Sequence, residues 1–324
     1  YEALKCFFYP GAMHQDVAFN LREDWASSMG RVLGLVSAAA PGAETTRALK
    51  WFAVLPSLLL RRDPRRNRGN GRRTYAYQRV QLFLAGRYAD LLNDWATDRA
   101  LAMVRSNRRD EPVDVVDARV ARVIKLLREG ELARAQAALS SEGTVDATHP
   151  DFVEQLAAKH PARKAPVPAD RPTGNLDIDL RKSLKQLKRK KSAGPSGLRN
   201  EYLKCLAGKF SETAARGAVD GLNKLASAYA SGDLPDWFYY LFCAANLHAV
   251  VKSRVPDIQV RPIAVGECFL RLVNARVARM FRGSVNDVVA PQQVAVGASG
   301  AAPRMVHSLR LALETHPDWA ILKI

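Results

Sequence analysis

Two cations in the second half of the chain have the side chains and the spacing to hold a polyphosphate. Lys252 closes an apolar, β-rich run over 246–251, and Arg261 lies within the next such run, 258–265. A hairpin would bring the two side chains together over one surface, where a Lys point charge and an Arg fork suit phosphate oxygens. Two solvated hairpin charges are the alternative interpretation, because exposed cations are common.

A second group of residues suits a nucleic-acid strand. Two lysines precede a turn of small residues, and the group comprises Lys190, Lys191, Gly194, Pro195, Ser196 and Gly197. Glycine allows close backbone approach and proline fixes a turn. Backbone N–H groups of such a turn, together with the lysines, are candidates to line the path of a template strand.

We find no complete catalytic site in the sequence. The chain lacks the zinc-protease, serine-hydrolase, Walker and dinucleotide-binding motifs. Asp177 and Asp179 have the spacing of a metal pair, but helix capping explains them better. The four cysteines lie far apart and the six histidines are scattered, which favours packed or surface roles over metal ligation. We therefore predict no catalytic residue and no metal ligand in this chain.

The positive charge is concentrated in two blocks. The formal net charge is +17, with +8 over 61–110 and +10 over 176–324. Blocks of cations favour a polyanionic partner, most plausibly nucleic acid. A membrane partner is disfavoured, because the longest apolar stretch, 51–60, is too short to cross a bilayer and no basic amphipathic helix with an aromatic face is evident.

Apolar residues at helical spacing predict a mainly helical first half, with the stripes forming core faces. The stripes are Leu21, Trp25, Met29, Val32 and Val36; then Val80, Phe83, Leu84, Tyr88, Leu91 and Trp95; then Val116, Val120, Val123, Ile124 and Leu127; and a short fourth with Leu132, Ala135 and Leu139. Seven of the thirteen residues in 61–73 are Arg. This segment is predicted to be a loop that either contacts phosphates or is simply solvated.

The second half begins after a Pro-rich segment, 160–175, which we interpret as a linker between domains. Asp177 or Asp179 is predicted to cap a helix with an apolar face of Leu180, Leu184 and Leu187 and a cationic face that extends to Lys191. Further helices are predicted near 199–206, 210–230, 267–281 and 301–314, with a hairpin over 246–265. The expected fold is mainly α with a small β component (α+β), divided into a helical extension (1–159), the linker, and a second domain (176–324).

The order of these pieces resembles the reverse transcriptases of non-LTR retrotransposons. Residues 190–198 resemble the first fingers motif of that family, and Lys252 with 260–265 resembles the second. Residues 291–301 resemble the stretch that precedes the palm, and 319–324 resemble the strand that leads into the first catalytic motif. The resemblance covers about 175–324 well and 48–145 more loosely. This chain has Ser196 where the family usually has Asp.

The resemblance implies a right-handed polymerase of which this chain holds the fingers and the first palm strand. It implies RNA-directed DNA synthesis with two Mg²⁺ held by palm carboxylates that are not in this chain. By position, Arg261 would contact the incoming dNTP, with Lys252 as its neighbour or as a template-phosphate contact. The other implied partners are an RNA template and a DNA primer, and Lys190, Lys191 and 194–197 would line the template path.

The expected function is therefore that of a reverse-transcriptase fragment that binds template and dNTP and is inactive alone. A nuclear or cytoplasmic protein, rather than a secreted one, is the matching expectation. The alternative is a non-catalytic, basic, helical scaffold that binds nucleic acid. The two hypotheses differ at Arg261, which only a polymerase would use to bind nucleotides.

Overall fold

The computed structural model describes residues 7, 11–36, 42–63, 71–106, 115–141, 143–146, 149–159, 176–254, 257–289 and 300–321. Helices dominate these residues and one small antiparallel sheet accompanies them. The prediction of a mainly α fold with a small β component is confirmed.

The helices in chain order are α1 (Arg22–Leu33), α2 (Ala43–Leu59), α3 (Gly71–Leu84), α4 (Tyr88–Ser106), α5 (Val115–Arg128), α6 (Leu132–Ser140), α7 (Pro150–Lys159), α8 (Arg181–Gln186), α9 (Asn200–Cys205), α10 (Thr213–Ser231), α11 (Asp236–Phe242), α12 (Cys268–Met280), α13 (Arg282–Val289) and α14 (Ala301–Thr315). The strands are β1 (Thr144–Val145), β2 (Ala245–Ser253) and β3 (Gln259–Gly266). A 3₁₀ turn, Phe19–Leu21, leads into α1.

Helix α1 is the centre of the core. The first predicted stripe, from Leu21 to Val36, runs along this helix and just beyond both of its ends, and all five of its residues are buried. Its main partner is α10. Two glycines allow the close approach of these helices. A Cβ on Gly30 would lie 1.7 Å from the Ala214 carbonyl oxygen, and one on Gly221 would lie 2.6 Å from Leu33 Cβ. The sequence thus specifies both the apolar stripe and the small residues that bring α10 against it.

Segments from both sides of the predicted 160–175 boundary share one core. An aromatic cluster joins Phe52 of α2 to Phe242 of α11 (5.6 Å between centroids) and to Phe269 of α12 (5.3 Å). The chain divides into compact units elsewhere, as Tyr1–Arg271 and Leu272–Ile324. The predicted linker itself lies outside the described residues. We call Tyr1–Arg271 the main unit and describe the other unit by itself.

The second and third predicted stripes need correction. A turn at Gly86 (φ +75°) divides the second stripe between α3 and α4. On α5, Val120, Ile124 and Leu127 are 43–50 % exposed, so the prediction that this stripe is a core face is wrong. Helix α5 packs chiefly against the short α6, and that pair has too little surface to cover more than one face.

Helix α8 is shorter than predicted. Leu180 and Leu184 are buried as expected. Asp179 Oδ1 accepts the backbone N–H of Arg181 at 3.0 Å, but the N-cap residue of α8 is Leu180 and no side-chain hydrogen bond caps this helix, so the prediction that Asp177 or Asp179 is the cap is wrong. The helix ends at Gln186, because Leu187 takes an extended conformation (ψ 127°). The cations of 188–191 therefore lie on an irregular segment and not on a helix face.

The predicted hairpin is confirmed, with β2 and β3 antiparallel over their whole length. Strand β1 and helix α7 were not predicted. Ala249 and Val260, on one face of the hairpin, pack against Leu156 of α7. A two-residue strand leaves no periodic pattern in a sequence, so β1 is set by the edge of β2 with which it pairs.

The second unit contains the rest of α12 together with α13 and α14. The predicted palm strand over 319–324 is not formed at 319–321, which carry no strand, and 322–324 lie outside the described residues, as do 291–299. A lone strand satisfies its backbone groups only by pairing, and the described part of this unit offers it no partner strand. Among the described residues, no helix has the length and apolar character to cross a membrane.

Candidate nucleic-acid interface

The segment that follows α8 closes into a tight turn. The Gly197 N–H donates to the Gly194 carbonyl oxygen at 3.1 Å. Gly197 has a φ of +76°, in the left-handed region where glycine is favoured. The turn 194–197, predicted from its Gly and Pro residues, is confirmed as a turn, and its four residues are buried.

Ser196 fastens this turn to a residue 71 positions further along the chain. Its backbone N–H donates to Glu267 Oε1 at 2.7 Å, and its Oγ–H donates to Glu267 Oε2 at 2.7 Å. Ser196 Oγ also accepts the N–H of Leu198 at 3.1 Å. Ser196 is 1 % exposed and Glu267 is fully buried. The Ser196 side chain therefore forms its hydrogen bonds with groups inside the protein, and these bonds position the turn.

Two further features fix the turn against Glu267: the lack of a side chain at Gly194 and a hydrogen bond from Arg271. A Cβ on Gly194 would lie 2.7 Å from Glu267 Cα, so only glycine fits here without displacing backbone. Arg271 Nη2 donates to the Ser192 carbonyl oxygen at 2.6 Å. The turn is thus fixed to the point where β3 ends and α12 begins, which joins the two motifs that the sequence placed far apart.

Glu267 and Arg271 were missed by the sequence reasoning. A lone Glu between a strand and a helix gives no signal, because such a residue is an ordinary feature of a helix start. Burial raises the pKa of Glu267, while the two hydrogen bonds from Ser196 and the charge of Arg271 act in the opposite direction. The carboxyl group accepts two hydrogen bonds and is held rigidly because both oxygens are engaged.

A basic cleft of about 690 Å³ opens beside the turn. Seven cationic residues line it against two acidic ones: Arg62, Arg122, Lys125, Arg134, Lys190, Lys191 and Arg199 against Glu129 and Glu201. The lining comes from both halves of the chain, since residues of α5 and α6 and residues of 190–199 both contribute to it. We call this the basic cleft. Its surplus of positive charge suits a polyanion.

The cations of the basic cleft differ in how they are paired. Lys190 Nζ lies 2.8 Å from Glu129 Oε2 and 2.9 Å from Glu131 Oε1. Those hydrogen bonds raise the pKa of Lys190. Arg122, Lys125 and Lys191 are exposed and have no ion-pair partner among the described residues. These three cations are available to phosphate, whereas the charge of Lys190 is already countered.

Lys190 also has an unusual backbone. Its φ is +59°, which is uncommon for a residue with a side chain, and its N–H donates to the carboxylate of Glu201. The Asn200 side chain donates to the Lys188 carbonyl oxygen at 2.8 Å. The segment 188–191 is therefore held by α9 in a shape that places Lys190 and Lys191 at the mouth of the cleft.

The hairpin presents one face to the basic cleft. Side chains alternate along a strand, and the register pairs His248 with Ile263 and Val250 with Arg261. Asn246 and His248 line the cleft, so Arg261 lies on the same face of the hairpin. The opposite face packs against α7. The second predicted motif thus shares a surface with the first.

Lys252 lies at an irregularity of the hairpin. The register shifts between Val251 and Ser253, which leaves Lys252 as the extra residue of a bulge. Lys252 and Arg261 are both exposed, and neither has an ion-pair partner in the part of the chain that the structure describes. The structure brings the two onto one hairpin, as predicted.

The described residues contain no group of three or more His, Cys, Asp or Glu side chains that could hold a metal ion. Asp179 contacts Arg181 and Asn223. Cys205, Cys243 and Cys268 are free thiols. Burial raises the pKa of Cys205 to about 12, which makes it unreactive as a thiolate at neutral pH.

Comparisons of the chain with protein-family models, with curated proteins and with solved structures find no match.

Proposed function

We propose that this chain is the fingers region of a reverse transcriptase of the non-LTR retrotransposon type, and that its basic cleft holds the template strand. The observation that carries the proposal is the meeting of the two fingers-like motifs at one cleft. Residues 190–194 and Gly197 line it, and Arg261 lies on the face of the hairpin whose residues Asn246 and His248 line it as well. The hydrogen bonds between Ser196 and Glu267 fix the turn of the first motif beside the end of the strand that carries the second.

In this proposal Arg122, Lys125 and Lys191 contact template phosphates. Phosphate contacts position a strand without reading its sequence, which is what a polymerase requires of its template path. Lys252 and Arg261 hold the triphosphate of the incoming dNTP, for which a Lys and an Arg are suited. The Mg²⁺ of such a polymerase would be held by palm carboxylates, which this proposal does not assign to any described residue, and it would supply Lewis-acid activation of the primer 3′-oxygen.

The test of the template path is binding of labelled single-stranded RNA, measured by fluorescence anisotropy at about 100 mM salt. The variant Arg122→Ala/Lys125→Ala/Lys191→Ala removes three unpaired cations from the basic cleft. We expect its affinity to fall roughly 10-fold to 100-fold, because each lost phosphate contact returns counterions to the strand.

The matched control is Arg47→Ala/Lys182→Ala/Lys224→Ala, which removes one Arg and two Lys that are exposed outside the cleft. Its affinity should fall less than about threefold, as expected of a long-range charge effect screened by salt. Equal losses in the two variants would show that the chain binds RNA through its net charge alone and would refute the cleft.

The second candidate is a non-catalytic scaffold that binds nucleic acid, which the charge surplus of the basic cleft supports equally well. Arg261 separates the two. A polymerase requires that Arg261→Ala weaken dNTP binding by about 10-fold, the effect of losing one strong charge-assisted contact, with little change in RNA affinity. Titration of Mg²⁺-dNTP into the chain bound to a primed template measures this. Absence of any nucleotide effect would favour the scaffold.

A further inference from the structure

We propose that a single strand of nucleic acid continues from the basic cleft into a second groove, where a base stacks on Phe19. This inference rests on the proposed function, since it extends the path of the same strand. The groove is lined by Phe19 and by cations that lie outside the fingers-like motifs at 190–198 and 260–265, and we call it the Phe19 groove.

The Phe19 groove has two joined parts of about 670 Å³ and 450 Å³. Both parts are lined by Lys185, Lys209 and Phe210. Together they carry seven cations and four acidic residues: Arg22, Arg181, Lys185, Arg189, Lys204, Lys209 and Arg216 against Asp16, Glu23, Glu201 and Asp220. The groove therefore has a positive surplus along its length, which a strand needs for its phosphates.

The acidic residues of the groove are engaged by the protein itself. Glu23 Oε1 accepts the N–H groups of Ser211 (2.9 Å) and Glu212 (3.1 Å), and hydrogen bonds from these residues lower its pKa. Asp220 pairs with Arg181. Lys185 and Lys209, in contrast, have no ion-pair partner among the described residues. The net charge of the groove is positive because its seven cations outnumber its four carboxylates, and Lys185 and Lys209 are exposed to a phosphate.

Phe19 supplies the stacking surface. Its side chain is 86 % exposed, although Leu21 of the same 3₁₀ turn is buried. The guanidinium of Arg22 lies 5.5 Å from the ring centroid, so one cation is already placed beside the ring. An exposed aromatic ring among cations is the arrangement by which proteins bind single strands without reading their sequence.

The two sites are adjacent. Glu201 lines both the basic cleft and the Phe19 groove. Lys190 lines the cleft and its neighbour Arg189 lines the groove, so a strand that leaves the cleft past Lys190 meets the groove next. One continuous path over both would engage more nucleotides than the cleft alone.

The experiment compares two single-stranded oligouridylates of roughly 8 and roughly 20 nucleotides, within and beyond the span of one single-strand site. We expect Phe19→Ala to weaken binding of the long RNA about 5-fold to 20-fold and to leave the short RNA unchanged, because one stacked base is lost. Phe19→Trp should retain the affinity. The control is Tyr240→Ala, which removes another ring, 78 % exposed on α11, and should change neither affinity.

The outcomes separate this inference from the function on which it rests. If the short RNA does not bind, or binds equally well to the cleft variant Arg122→Ala/Lys125→Ala/Lys191→Ala, the template path itself is refuted. If the short RNA binds in the cleft and Phe19→Ala leaves the long RNA unaffected, only the groove is refuted. An equal loss for both lengths in Phe19→Ala, with an unchanged melting temperature, would also overturn the proposed order of the two sites.

Discussion

The main unit contains two groups of cations that the fold treats in opposite ways. Arg61 and Arg79 are buried around a single carboxylate. Arg61 Nε donates to Asp98 Oδ2 at 2.8 Å, and Arg79 Nη1 lies 3.7 Å from the same oxygen. Arg122, Lys125 and Lys191, in contrast, lie exposed around the basic cleft without ion-pair partners among the described residues.

The difference between the two groups separates cations that stabilise the fold from cations that are exposed to a ligand. Burial and the charge of Arg61 lower the pKa of Arg79, because burial removes water from a charged guanidinium. Both guanidinium groups are retained because Asp98 and the Arg61 carbonyl oxygen, to which Arg79 donates, tie α2, α3 and α4 together. The cleft cations support no such packing. Their side chains are exposed, so we propose that they bind an anion, whereas the buried pair stabilises the fold.

The largest expected effect comes from breaking the buried group. Asp98→Ala would leave Arg61 and Arg79 buried without a counter-charge, and should lower the free energy of unfolding by about 3–5 kcal/mol. Asp90→Ala is the control, because Asp90 pairs with Arg87 on the surface and its loss should cost less than about 1 kcal/mol. Urea unfolding measures both. Similar costs for the two variants would contradict the structural role of the buried group.

The next effect tests the contact that joins the two motifs. Ser196→Asp would place a carboxylate against the buried carboxylate of Glu267, and should lower the free energy of unfolding by about 2–4 kcal/mol. Adding Glu267→Gln should recover at least half of that loss, because an amide donates a hydrogen bond to the new carboxylate. A double-mutant cycle from urea unfolding gives the coupling.

The control for the added charge is Ser192→Asp, since the Ser192 side chain is exposed and only its backbone contacts Arg271. It should change the free energy of unfolding by less than about 0.5 kcal/mol. If Glu267→Gln fails to recover the Ser196→Asp loss, the two side chains do not act as a pair. Under the present account, Ser196 is the residue that suits a buried Glu267, whereas Asp at this position would conflict with it.

The smallest effect distinguishes two neighbouring lysines. Lys191→Ala should weaken RNA binding about threefold to fivefold, the effect of one lost phosphate contact. Lys190→Ala should weaken it less than twofold, because Glu129 and Glu131 already counter that charge. Anisotropy titration under the same conditions measures both. A larger effect at Lys190 would mean that a phosphate displaces the two glutamates.

The sequence predicted the parts of the fold that depend on local pattern. The α1 stripe, the α10 helix, the hairpin and the 194–197 turn all follow from periodicity or from turn residues. The prediction that the apolar stripe on α5 is a core face is wrong, because periodicity identifies an apolar face but not whether another element packs against it. The predicted length of helix α8 is wrong, because the helix ends before Leu187 and contacts with α9 hold the following residues in an irregular conformation.

The site could be predicted only in part, because its decisive contacts are long-range. Residues 190–197 and Arg261 were predicted as site residues from their residue types, and their binding roles stay predictions. Glu267 was not predicted, since its role depends on Ser196, 71 residues away. Arg61 was predicted to lie in a phosphate-binding or solvated loop, yet it is buried against Asp98. An Arg-rich run predicts positive charge but does not predict which of its side chains are buried. Residues 64–70 of that run lie outside the described residues.

The most direct test of the central claim is the salt dependence of RNA binding. The affinity of the unaltered chain for single-stranded RNA is measured across a series of salt concentrations and compared with that of Arg122→Ala/Lys125→Ala/Lys191→Ala. If the basic cleft holds the strand, the slope of log affinity against log salt should become shallower by about 2, since each phosphate contact on a single strand contributes roughly 0.7. An unchanged slope would contradict the account, because it would mean that these three cations never meet a phosphate.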